Sequence, residues 1–189
     1  MKINNFLFAE NERGISLFET LIALVLTGTT LISLVLLASK SYKIVNITRV
    51  EDTATQLADK GLECAMAFRG GGVFAIQIND NCLNIVNPAV TPSPGGADVK
   101  TTASINSQSG SEVKYIVEWG CKQTTQPNPA LGTTRTLQTL QTKVTLDSSN
   151  DALKSTTGKP ICALLETVIQ DSGPGGIYTS CNNPLTACQ

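Results

Sequence analysis

From Ile15 to Ala38 the chain runs through 24 residues (38 − 15 + 1) whose only ionisable side chain is Glu19. As a helix, such a run reaches about 36 Å, enough to cross a hydrocarbon core of roughly 30 Å. Beyond it the pattern changes from apolar on every side to apolar on one. Ile47, Val50, Ala54, Leu57, Gly61, Cys64 and Phe68 follow one another at steps of three and four, while Arg49, Asp52, Gln56, Asp59, Lys60 and Glu63 occupy the opposite side. That is the stripe of an amphipathic helix. Gly70, Gly71 and Gly72 then stand where a helix C-terminus is expected. The spacing therefore predicts one long helix from about Ile15 to Arg69, with two differently dressed halves. A two-stranded coiled coil fits the second half less well, because the stripe is short and rich in small residues.

After the glycines the helical period is lost. Val73–Ile78, Glu112–Lys122, Leu137–Asp147 and Ile161–Gln170 are predicted strands, by their β-branched and aromatic content and their bounding turn residues. In the second, Val113, Tyr115, Val117 and Trp119 alternate with Lys114, Ile116, Glu118 and Gly120, which places Trp119 on the core face. Leu140, Val144 and Leu146 alternate in the same way in the third. Asn87–Gly96, Thr124–Thr134 and Ser172–Gln189 read as loops by their proline, glycine and asparagine content. The expected class is α+β: a long N-terminal helix, its amphipathic half packed on an antiparallel sheet. Residues 1–14 form a polar leader, 15–39 a membrane or assembly helix, and 40–189 a head made of the amphipathic helix 40–69 and a β-rich region 73–189.

Composition narrows the chemistry. A formal net charge of −1 offers no basic field for nucleic acid. Histidine is absent, which removes the commonest general base and neutral metal ligand. No nucleophile motif appears, and Gly173-Pro174-Gly175-Gly176 lacks the lysine and the strand-to-helix setting of a phosphate loop. The expectation is a protein that is not an enzyme, with no catalytic residue, metal or cofactor.

Six cysteines, Cys64, Cys82, Cys121, Cys162, Cys181 and Cys188, include no closely spaced ligand pair, so disulfides are favoured over a thiolate zinc site. Cys181 and Cys188 lie close enough in sequence for a local bridge. Cys121 and Cys162 sit in predicted strands that could be neighbours, which leaves Cys64 for Cys82; this is one of many connectivities that six cysteines allow.

The segment Glu12-Arg13-Gly14-Ile15-Ser16-Leu17-Phe18-Glu19-Thr20-Leu21-Ile22-Ala23-Leu24 resembles the class III signal of type IV prepilins and pseudopilins. The resemblance implies a pilin-like fold, cleavage by a prepilin peptidase between Gly14 and Ile15, and N-methylation of Ile15. It also implies that Glu19, five residues into the mature chain, pairs with the N-terminal amine of a neighbouring subunit. Without the resemblance, a carboxylate in an apolar run signals either a partner or a position near the membrane surface, where it reaches water. Major pilins usually carry proline where this chain has Leu36, and phenylalanine is usual at the position of Ile15. A minor pilin is therefore the expected role: a structural subunit of a type IV pilus, with a type II secretion pseudopilin or an adhesive or DNA-uptake minor pilin as alternatives. The implied partners are other pilin subunits, the peptidase, the membrane and the inner-membrane assembly platform. The leader charges Lys2, Arg13, Glu10 and Glu12 cancel, so charge does not orient the segment. The cysteines and the resemblance place the head outside the cytoplasm, on an inner-membrane precursor that passes into a surface or periplasmic filament.

Overall fold

A computed structural model describes residues 17–70, 72–91, 99–106, 112–128, 132–147, 160–170 and 176–188. The leader, Gly14 and Ile15 lie outside the described residues. Helix α1 runs Leu17–Ala67, and the chain divides into two compact units, Met1–Lys43 and Ile44–Gln189. In the first unit the helix is exposed from Leu17 onward, with only Gly28 half-buried.

In the second unit the predicted stripe is the buried one: Ile47, Val50, Ala54, Leu57, Gly61 and Cys64 are covered, together with Ala58, Leu62 and Ala65. Phe68, expected to extend it, lies just past the helix and stays partly exposed. Behind α1 follow three short helical pieces, α2 (Phe74–Gln77), a π-turn (Ile78–Cys82) and α3 (Leu83–Val86). Among the described residues five strands follow, β1 (Lys100–Asn106), β2 (Glu112–Asn128), β3 (Thr133–Leu146), β4 (Cys162–Gln170) and β5 (Asn182–Asn183).

The sheet is antiparallel throughout, in the order β1-β2-β3-β4. β5 pairs with β2 at Cys121 and Lys122, where β2 already has β3 on its other edge, so it continues the line of β1. Register brings Tyr115, Val117, Trp119 and Cys121 opposite Leu146, Val144, Thr142 and Leu140. All eight are buried and share the face that receives α1. The architecture is thus α+β, a long helix on an antiparallel sheet, as in a pilin-like fold.

The structure departs from the expected elements at three places. Phe74–Ile78 is helical, not a strand, and only Val73 is extended, in a single bridge to Ser180: a short apolar run carries no decisive period, and Phe74 and Ile78, four apart, turn the same way into the core. β1 falls in a stretch given no strand by its sequence, since Lys-Thr-Thr-Ala-Ser-Ile-Asn is barely apolar. The loop expected over Thr124–Thr134 is shorter, because β2 and β3 stay paired out to Asn128 and Thr133.

The disulfides are Cys64–Cys82, Cys121–Cys181 and Cys162–Cys188, with Cα separations of 5.7, 5.0 and 5.8 Å. The first is the expected pair, and the other two replace Cys121–Cys162 and Cys181–Cys188. The sheet register explains why. Cys121 pairs with Leu140 on the helix-facing side, whereas Cys162 pairs with Thr145, which points the other way. No bridge between them can pass through β3. Cys181 instead meets Cys121 on the inner side, and the chain then crosses to the outer side before reaching Cys188.

Candidate functional site

Among the described residues, most of the exposed large apolar side chains lie on the helical segment before Ile47. Leu17, Phe18, Leu21, Ile22, Leu24, Val25 and Leu26 open a series of exposed apolar side chains that continues through Leu37 to Tyr42, Ile44 and Val45. A monomeric soluble protein rarely exposes such a continuous surface. The segment is long and apolar enough to cross a membrane. Six of its hydroxyls do not oppose this, since they bond backbone carbonyls of their own helix: Thr20 to Leu17 and Thr30 to Thr27 at 2.8 and 2.9 Å, Thr29 to Leu26 at 3.0 Å, Ser33 to Thr29 and Ser39 to Leu36 at 2.9 Å, and Thr27 to Ala23. The backbone stays helical through Gly28-Thr29-Thr30 with these bonds in place.

Glu19 is the exception. It sits in the first described turn of α1. Its carboxylate makes no hydrogen bond or ion pair among the described residues. Its expected partner atom, the amine of Ile15 on another subunit, lies outside the described residues, as does the Gly14–Ile15 bond.

The head fixes the second half of α1 through three aromatic side chains that donate to its carbonyl oxygens. The Trp119 indole N–H bonds Gly61 O at 3.0 Å, the Tyr178 hydroxyl bonds Ala65 O at 2.6 Å, and the Tyr115 hydroxyl reaches Val50 O at 3.5 Å. Burial raises the Tyr178 pKa, with Arg69 pulling in the opposite direction. Burial also raises that of Tyr115, partly offset by a hydrogen bond with Thr53. Phe74 meets Tyr178 edge-to-face at 5.0 Å between ring centres.

Three residues that carry the C-terminal segment were not singled out by sequence. Gln138, fully buried on the inner face of β3, gives its amide N–H to Tyr178 O at 2.6 Å and accepts Tyr178 N–H at 2.8 Å. Gln141, on the outer face, accepts Leu185 N–H at 2.7 Å and donates to Glu166 at 2.5 Å. Gly120 lets the tail pass: a Cβ there would stand 2.6 Å from Leu185 Cγ and 2.8 Å from Asn183 O. Glutamines at buried strand positions were the available signal. No protein-family model, curated protein or solved structure matches the chain.

Proposed function

We propose that the protein is the structural subunit of a type IV pilus or related filament, in the role of a minor pilin. It is cut between Gly14 and Ile15, methylated at Ile15, and polymerised through residues 15–45. The observation that carries this reading is a single helix, α1, whose first stretch exposes apolar side chains from Leu17 to Val45 and whose remainder is the buried spine of a disulfide-bonded head. The apolar stretch suits a bilayer before assembly and the corresponding helices of other subunits afterwards. In this role the chain acts by assembly and carries out no turnover.

Glu19 is the residue on which assembly turns. In a filament core its carboxylate neutralises the Ile15 amine of the adjoining subunit, and removal of one member of a buried pair costs roughly 3 kcal/mol or more. Glu19→Ala should still insert, be cut to a chain of 175 residues (189 − 14) and form its disulfides, because the substitution removes a charge from the apolar run. The measurement is the ratio of subunit in sheared surface filaments to subunit left in the membrane, at equal expression. A fall of about 100-fold is expected from that penalty. An unchanged ratio in correctly cut subunit defeats the pairing and leaves Glu19 as an interfacial residue that reaches water. Subunit confined to periplasmic filaments would assign the secretion pseudopilus instead.

A further inference from the structure

Two of the three disulfides are sealed and one is open. Cys64, Cys82, Cys121 and Cys181 are each at most 5% exposed, whereas Cys188 is exposed and Cys162 half-buried. Thiol–disulfide exchange needs a thiolate to reach a sulfur atom, so access separates these bonds. The open bond also has a distinct mechanical position. Past Cys181 the chain pairs with β2 for two residues, turns over Gly120, and crosses the outer face of the sheet to β4. On that face it is held by the Leu185 N–H to Gln141, the Leu185 side chain against Gly120, a 3.4 Å contact from Lys143 Nζ to Thr186 Oγ1, and the terminal bond Cys162–Cys188. Asn182, Asn183, Pro184, Thr186, Ala187 and Cys188 are all exposed. With one part-buried and one exposed hydrogen bond and Leu185 as its half-buried apolar residue, the segment has low local stability once its covalent end is freed.

We propose that Cys162–Cys188 is a reducible latch on this strap, opened by a dithiol outside the cytoplasm while the other two disulfides and the head stay intact. One thiolate of the dithiol attacks Cys188 Sγ, the Cys162–Cys188 bond breaks, and Cys162 leaves as a thiolate that takes up a proton. The second thiolate then displaces Cys188 from the mixed disulfide. Two electrons pass to the protein, which ends with two thiols, and the dithiol ends as its own disulfide. Release of the strap uncovers Gly120, Gln141 and Lys143, so the outer face of the sheet has a covered and an open state. Cys121–Cys181 lies upstream and keeps Tyr178 docked. The latch belongs to the head alone and does not depend on the filament reading.

The test uses full-length protein in detergent micelles, treated with graded dithiothreitol, quenched by alkylation and mapped by mass spectrometry, with amide exchange on the same samples. Cys162 and Cys188 should be labelled roughly tenfold faster than the other four cysteines, as expected for accessible against sealed sulfur atoms. The Leu185 amide should lose its protection while those of Tyr178 and Trp119 keep theirs. Loss of all three disulfides together, or labelling of the latch with Leu185 still protected, overturns the proposal. Cys162→Ser with Cys188→Ser should fold with two disulfides and an unprotected Leu185. Failure of that variant to fold also overturns it, since the bond would then hold the head and not the strap alone.

Discussion

Gly61→Ala tests the closest approach in the head. In α1 a methyl at this position would lie 2.7 Å from Thr142 Cγ2, 3.0 Å from Trp119 Nε1 and 3.4 Å from Trp119 Cε2. Carbon atoms in contact rest at about 3.5–4.0 Å, so the first of these distances is inside the repulsive wall. Neither neighbour can retreat easily, because Thr142 and Trp119 are both fully buried. If the helix moves away instead, the indole N–H loses Gly61 O, its partner at 3.0 Å. Against this stands the intrinsic gain of alanine over glycine in a helix, about 1 kcal/mol. Overpacking costs about 1–3 kcal/mol, and an orphaned buried N–H costs a similar amount. The steric side wins, with a net loss of about 2 kcal/mol. For a urea dependence near 2 kcal/mol per molar, the midpoint should fall by roughly 1 M. Trp119 is the only tryptophan, so its emission reports unfolding at the altered contact itself. Thr142→Ser removes the clashing Cγ2, and in the Gly61→Ala background it should recover at least about 1 kcal/mol. A raised midpoint for Gly61→Ala, or strict additivity in the double variant, would refute the close packing of α1 on β3.

Thr142 supports a second prediction, since its hydroxyl is buried with no hydrogen-bond partner among the described residues. Thr142→Val keeps the shape and removes the stranded polar atom, so it should stabilise the head by about 1 kcal/mol in the same urea titration; a loss would show that the hydroxyl is satisfied. Alkaline pH should weaken the fold through the tyrosines. Burial keeps Tyr178 and Tyr115 neutral in the folded head, while an unfolded tyrosine ionises near pH 10. The stabilisation is therefore full below about pH 10 and is lost as pH rises toward the folded values. Tyr178→Phe should flatten that decline between about pH 10 and about pH 11, and an unchanged slope would show that Tyr178 does not titrate on unfolding.

The elements most legible in the sequence were those in which one period ran long enough to exclude the other. The steps from Ile47 to Cys64 fit only a helix, and the alternation from Val113 to Trp119 fits only a half-buried strand. Val73–Ile78 was ambiguous because it is short. β1 was silent because Thr101 and Ala103 occupy its inward positions with little apolar signal. The disulfide partners of Cys121 and Cys162 were illegible for a different reason. Pairing there depends on which face of the sheet each cysteine occupies and on where the tail crosses, and both follow from a register that no local pattern contains.

Gln138 shows how that register creates a docking site for a segment that cannot make a strand of its own. The C-terminal stretch is broken by glycine and proline, and among its described residues it pairs as a strand at Asn182–Asn183, with a single further bridge from Ser180 to Val73. A buried backbone N–H and C=O at Tyr178 would each lack a partner there. The Gln138 carboxamide supplies both, one acceptor and one donor, in the way a neighbouring strand would. Its remaining amide hydrogen reaches Gln123 at 3.1 Å, so the group is satisfied only when β2, β3 and the tail are together. A half-made network of this kind leaves buried polar atoms stranded, which sets docking of Tyr178 against all alternatives. Docked Tyr178 then places Cys181 beside Cys121, three residues on, and the strap beyond it becomes the one part of the tail whose attachment rests on an accessible covalent bond.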